Sequence, residues 1–257
     1  KLKIMNFPFK HIPNRTKSPR DNGLTMVMDK GLSIRESENM ISSASKHIDI
    51  VKLGFGTAFL TENLDKKIKL YKNAGFKVYF GGTLFEAFII RDMFQEYVEL
   101  IKRFEMDTVE ISDGSISLNH DKKCEYINIL SQNTTVLSEI GSKSADILIP
   151  PYKWIRMMDK EINAGSWKVI AEAREGGNVG ICRETGEVRS DLIEEILTKI
   201  PQDKILWEAP QKSQQVWFIK LMGANVNLGN IAPHEVIPLE CLRLGLRGDT
   251  FYDFLPK

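Results

Sequence analysis

Cysteine is scarce in this chain, and its three copies, Cys124, Cys182 and Cys241, lie far apart without a CxxC pair. Such an odd, scattered set argues against a disulfide framework and reads as reduced thiols in a cytoplasm. The four histidines, His11, His47, His120 and His234, show neither HxxxH nor HxH spacing, which argues against a zinc centre. No apolar stretch approaches the ~20 residues of a membrane span, and no signal-peptide pattern is visible in the first residues. An excess of either charge is also missing. The net charge of +1 gives no global field for capturing nucleic acid or an anionic membrane, so any preference for anions must be local. There is no Walker A sequence, and Gly54-Phe-Gly56 lacks the rest of a dinucleotide fingerprint.

What is present is a regular series of short runs rich in Val, Ile, Leu and Phe. They begin near residues 24, 48, 77, 107, 134, 167, 204 and 224. The mean step, about 29 residues, is the length of one βα unit in an eightfold barrel. At 257 residues the chain suits one such domain, burying roughly three quarters of its unfolded surface. The expected fold is therefore a single (β/α)8 barrel over residues 23–257. Residues 1–22, with Pro8, Pro13 and Pro19 and no apolar period, are expected to form an arm across its bottom, with a disordered tail as the alternative.

Helix signals fall between the runs. Ser33 and Glu36 make a capping box, Gly75 is a natural helix stop, and Met93, Phe94, Tyr97, Val98, Ile101 and Phe104 repeat at helical spacing. The eighth strand is expected from Ala224 to Leu228. Residues 144–151 are the least regular connection, either a plain surface loop or one that moves over the mouth.

Four runs each end on a glutamate: Glu110, Glu139, Glu172 and Glu208. Alternation assigns Thr25, Val27 and Asp29 to one inward face, Ile170, Glu172 and Arg174 to another, and Leu206 and Glu208 to a third. Two carboxylates ~4 Å apart repel by roughly 4 kcal/mol at an effective dielectric near 20. Four around one mouth must bind a cation, pair with basic residues, or take up protons. A hard divalent ion with oxygen ligands, such as Mg²⁺, answers this economically; a structural network with Lys and Arg is the alternative. Basic residues at the same level are Lys30, Lys52, Lys143, Arg174, Lys212 and Arg247, which interleaved with carboxylates suit an anionic substrate. Lys52, on an apolar strand, also suits a Schiff-base nucleophile or proton donor. Gly176-Gly177, Gly229-Asn230 and Gly248 follow strands six to eight, where barrels often hold phosphate on backbone N–H groups.

Longer motifs carry a resemblance. Asp29-Lys-Gly-Leu32, Val51-Lys-Leu-Gly-Phe-Gly-Thr57, Gly81-Gly-Thr-Leu-Phe-Glu86, Glu110-Ile-Ser-Asp-Gly114 and Glu139-Ile-Gly-Ser-Lys143 resemble the phosphosulfolactate synthase family. So do Glu172-Ala-Arg-Glu-Gly-Gly177, Glu208-Ala-Pro-Gln-Lys-Ser-Gln-Gln215, Val226-Asn-Leu-Gly-Asn-Ile231 and Leu246-Arg-Gly-Asp-Thr250. Phe55 stands where a tryptophan is common, and Ser142 where some members have a second lysine.

The resemblance implies a Mg²⁺-dependent C–S bond-forming lyase that adds sulfite to phosphoenolpyruvate, giving 2-phospho-3-sulfolactate through an enediolate-like species. In methanogens that product feeds coenzyme M synthesis. Lys143 resembles the family's proposed catalytic lysine and is assigned proton delivery. Glu110, Glu139 and Glu172, with Glu208 as a further candidate, are the expected metal ligands. Charge and location make Lys30, Lys52, Arg174, Asn230 and Arg247 candidates for holding phosphate, carboxylate or sulfite. A cytoplasmic homo-oligomer, a trimer, is the implied assembly, with no nucleic-acid or membrane partner. Two other readings stay open: a non-catalytic stress protein, because plant heat-stress-associated proteins resemble the same family, and a Schiff-base aldolase.

Overall fold

The computed structural model describes residues 6–142 and 149–256. Its strands are β1 (Thr25–Asp29), β2 (Ile50–Leu53), β3 (Lys77–Phe80), β4 (Thr108–Ile111), β5 (Thr135–Ile140), β6 (Ser166–Ala171), β7 (Ile205–Glu208) and β8 (Leu228–Ile231). Neighbours pair in parallel in the order β3-β2-β1-β8-β7-β6-β5-β4, and β3 packs beside β4 across the seam. The result is a nearly closed (β/α)8 barrel, as the spacing of apolar runs predicts.

The helices are α1 (Ile34–Ala44), α2 (Thr57–Leu60), α3 (Leu64–Asn73), α4 (Gly82–Ile89), α5 (Phe94–Arg103), α6 (His120–Ser131), α7 (Pro151–Ala164), α8 (Ser190–Leu197), α9 (Lys212–Met222) and α10 (Val236–Arg243). Ser33 and Glu36 form the expected capping box at α1, satisfying two otherwise orphaned backbone N–H groups. Gly75 ends α3 with a φ of 85°, a conformation that suits a residue without Cβ. On α5, Tyr97 and Ile101 are buried at the i, i+4 spacing.

Two apolar layers share the strands. Val27, Val51, Val78, Val109, Val136, Val169 and Ile205 point outward and pack with helix residues such as Met40, Ile68, Tyr97 and Ile127. Leu24, Met26, Ile50, Tyr79, Leu137, Ile170 and Leu206 fill the barrel interior. Full burial of each such aliphatic chain is worth roughly 1.5–3 kcal/mol. Two residues further along, on the same inner face, come Met28, Lys52, Glu139, Glu172 and Glu208. The apolar floor thus delivers the polar residues to the C-terminal ends of the strands.

Two local expectations fail. Thr25, Val27 and Asp29 are the outer face of β1, not the inner one: Val27 lies in the outer layer, and Asp29 bonds Tyr71 and Lys67 of α3. Strand β8 begins at Leu228 rather than ending there. Ahead of it, the Asn227 side chain accepts from the Leu24 N–H and donates to the carbonyls of Asp203 and Ile205, standing in for ladder bonds.

Of the first 22 residues, those from 14 to 20 lie against the N-terminal ends of the strands. Arg15 bonds Glu240 at 2.9 Å, Asn225, and the carbonyls of Ala224 and Gly23. Arg20 pairs with Asp49 at 2.8 Å. These contacts tie the arm to the face opposite the glutamates.

Candidate active site

At the C-terminal mouth lies a cavity of about 310 Å³ lined by Met28, Lys52, Phe55, Thr83, Ser115, Glu139, Glu172, Arg174, Glu175, Glu208 and Asn230. Glu139, Glu172 and Glu208, all buried, each offer it a carboxylate oxygen, and these oxygens lie within 4.8 Å of one another. Backbone amides orient two of them. Glu172 Oε1 accepts from the Arg174 N–H at 2.6 Å, and Glu208 Oε2 from the Ala173 N–H at 2.8 Å. Arg174 reaches that position in the left-handed region, with φ of 61°.

Lys52 sits beneath this group. Its Nζ lies 3.0 Å from Glu110 Oε2, 3.3 Å from Glu139 Oε2 and 3.5 Å from Glu208 Oε1. Burial alone would favour the neutral amine, but the carboxylates of Glu110, Glu139 and Glu208 prevail and hold its pKa well above the usual lysine value. Glu110 responds oppositely. Burial pushes its carboxyl up to about 7, with Lys52 opposing that rise and Glu139 adding to it. The other Glu110 oxygen accepts from the Gly82 N–H at 2.7 Å, at the start of α4. Glycine is required there, because a Cβ at position 82 would collide with the Glu110 carboxylate and the Ser112 hydroxyl.

The cavity therefore unites Lys52, Glu139, Glu172, Arg174, Glu208 and Asn230 among the residues singled out from sequence. Glu110 touches Lys52 but does not line the cavity or join the converging carboxylate trio. Lys30 lines a different groove, with Leu32, Met40, Pro233 and His234. Arg247 is half-buried 3.9 Å from Glu235, and Lys212 pairs with Asp249 at the surface. Lys143 lies outside the described residues, as does most of the connection at 144–151.

Some residues were not singled out from sequence as site residues. Phe55, with φ of 40°, and Ser115 both face the cavity. Glu86 on α4 accepts from the Ser112 hydroxyl and from the Ser115 N–H at 3.1 Å, which fixes the loop after β4. Lys123 is fully buried on α6. Its signal was legible: Lys123, Ile127 and Leu130 share one helical stripe, so a lysine stands where an apolar residue is expected. Gly229, expected just past the eighth strand, lies within β8 instead and has a plain packing role, since a Cβ there would press on Met26.

Comparison with known proteins gives this arrangement a context. A family model described as (2R)-phospho-3-sulfolactate synthase (ComA) matches residues 13–249. The phosphosulfolactate synthase of Methanothermobacter thermautotrophicus is 40% identical over 244 residues, covering 93% of this chain and 95% of that protein. The chain belongs to the phosphosulfolactate synthase family. It is therefore a member of an enzyme family. The Bacillus subtilis phosphosulfolactate synthase is 39% identical over 244 residues, covering 94% and 97% of the two chains. The Arabidopsis thaliana protein HEAT-STRESS-ASSOCIATED 32 is more distant, at 21% identity over 91% of this chain and 90% of its own. Among solved structures, 3-hexulose-6-phosphate synthase from Salmonella typhimurium superposes with a TM-score of 0.57 at 13% identity, covering 87% of this chain and all of that one, a likeness of fold.

Proposed function

We infer that this chain joins sulfite to phosphoenolpyruvate to give 2-phospho-3-sulfolactate. The observation that carries the reading is the convergence of Glu139, Glu172 and Glu208 over Lys52 in a chain of this family. In the proposed reaction the sulfur lone pair forms a bond to the methylene carbon. The double-bond electron pair shifts toward the phosphate-bearing carbon and the carboxylate attached to it. A proton then bonds to that carbon, and no group leaves, so bisulfite and phosphoenolpyruvate balance the product.

The donor set fits a hard divalent ion: three buried carboxylates, all oxygen ligands, close enough to share one centre. Mg²⁺ is the proposed ion, with Glu139, Glu172 and Glu208 holding it. When bound there it supplies Lewis-acid stabilisation of charge developing on the substrate carboxylate. Lys52 offsets the repulsion between Glu139 and Glu208, and Glu110 holds Lys52 from below. Arg174 and Asn230, both at the cavity, are the proposed anion-binding groups. Lys143, next in sequence after the buried Ser142, is the proposed proton donor. The carboxylates that keep Lys52 an ammonium work against its use as an amine nucleophile in Schiff-base chemistry.

The test is incubation with phosphoenolpyruvate, sulfite and Mg²⁺, with mass spectrometry for phosphosulfolactate. Product that depends on all three supports the reading. No product across a range of pH and divalent ions would overturn it and favour the non-catalytic alternative.

A further inference from the structure

Behind Glu139, on the helix side of the sheet, lies a polar cluster that takes no part in the proposed chemistry. Lys123 of α6 is fully buried, and its Nζ reaches Asp113 Oδ1 at 2.9 Å, Glu161 Oε1 at 2.8 Å and the backbone carbonyl of Glu139 at 2.6 Å. An ammonium has three N–H donors, and all three are used. Asp113 lies just past β4, Glu139 near the end of β5, and Glu161 on α7. One side chain thus joins four consecutive pieces of the barrel.

The register explains why a clamp is needed there. The ladder between β4 and β5 ends at the Ile111–Ser138 pair, one residue short of Glu139. Beyond that rung the β4–β5 ladder does not continue. On the other side β5 remains paired with β6 through Ile140 and Ala171. At Glu139 the backbone carbonyl receives the Lys123 ammonium while the side chain turns inward to Lys52. Charge-assisted bonds of this kind are stronger than neutral ones and fix geometry more tightly.

We propose that Lys123 is a positioning residue that clamps the ends of β4 and β5 and thereby sets the Glu139 carboxylate at the mouth. The part that concerns metal binding rests on the assignment of Glu139 under the proposed function. Lys123 itself does not line the cavity.

The test pairs hydrogen exchange with metal binding. Lys123→Met alone would leave the buried Glu161 carboxylate with only His120 Nε2, at 3.0 Å, among its described partners, so the main variant is Lys123→Met with Glu161→Gln; Asp113, with its side chain 15% exposed, can rehydrate. Lys123→Arg, which keeps the charge with a different donor geometry, is the second variant. In the double variant, amide exchange should accelerate in peptides covering 111–113 and 138–141 and stay near wild type in β1 and β2. Mn²⁺ affinity should fall about 10–100-fold, as for other supports of metal ligands, and Lys123→Arg should recover part of both effects. Unchanged exchange at 138–141 would overturn the clamp. So would faster exchange spread over the whole chain, which marks a general stabiliser. If the wild type binds no divalent ion, the metal assignment fails while the exchange measurement still decides the clamp.

Discussion

Lys52 Nζ and Glu110 Oε2 lie 3.0 Å apart inside the barrel, both side chains almost wholly buried. This pair divides four glutamates that look alike in sequence into one that holds a lysine and three that face the cavity. Removing one partner of a buried pair leaves the other uncompensated, typically costing about 3–5 kcal/mol. Lys52→Met should cost that much in urea unfolding, because Glu110 then faces Glu139 and Glu208 without a cation. Adding Glu110→Gln should restore more than ~1 kcal/mol of the loss, since partners in one network are not additive. Strictly additive effects of the two substitutions would mean that the pair is not coupled.

The same division predicts different metal behaviour. In chelator-treated protein titrated with Mn²⁺ by calorimetry, Glu139→Gln, Glu172→Gln and Glu208→Gln should each weaken binding by at least roughly tenfold, about 1.4 kcal/mol. Glu110→Gln should weaken it less than any of these, because its carboxylate is spent on Lys52 and the Gly82 N–H. Equal loss from all four substitutions would return Glu110 to the ligand set.

Glu110 also gives a pH signature. Its carboxyl rises from the ordinary 4.5 to about 7, chiefly by burial. Between those values the folded chain binds more protons at this position than the unfolded chain does. The stability contributed by the protonated form is therefore full below about pH 4.5 and is lost as pH rises through 7. Over that window the loss is on the order of 3 kcal/mol. Unfolding free energies of metal-free wild type and Glu110→Gln, measured at pH 5 and pH 8, should converge or cross in favour of the variant as pH rises. A constant difference between the two proteins would contradict the shifted titration.

Much of this site was legible in the sequence, and the failures have physical causes. The glutamates at the ends of β4, β5, β6 and β7 stood out because carboxylates at strand ends are costly without a cation. Their depth was not legible, because it depends on how strands are staggered around a barrel. Glu110 and Glu139 are equivalent in pattern, yet only Glu139 lines the cavity. The inversion on β1 has another source. Strands of a parallel barrel are buried on both faces, so Met26 and Val27 carry the same apolar signal in opposite directions. Asn225 and Asn227 extended the apparent eighth strand because side-chain hydrogen bonds leave no mark in a hydrophobic pattern.

The arm offers a control at the other end of the barrel. Arg15→Ala removes bonds to Glu240, Asn225 and two backbone carbonyls, and leaves the Glu240 carboxylate with the charge of Arg243 and the 3.9 Å approach of His47. Stability should fall by about 2–4 kcal/mol. Turnover at a temperature where the variant remains folded should not change, since these partners of Arg15 all sit at the end of the barrel opposite the mouth. A change in kcat at that temperature would show that the two ends are coupled.

Lys143 carries the most specific chemical prediction. In the proposed reaction carbon protonation completes the addition, so losing Lys143 as its proposed acid should slow turnover by roughly 10²–10⁴-fold, the usual span for general acid catalysis. Lys143→Ala should therefore retain Mn²⁺ affinity and thermal stability near wild type while phosphosulfolactate formation collapses. The comparison with Glu139→Gln is informative, because that variant should lose ion binding and turnover together. Wild-type turnover in Lys143→Ala would move the proton source elsewhere. Loss of turnover together with ion affinity would instead make Lys143 part of the electrostatic support for the glutamates, a role already filled by Lys52 beneath them.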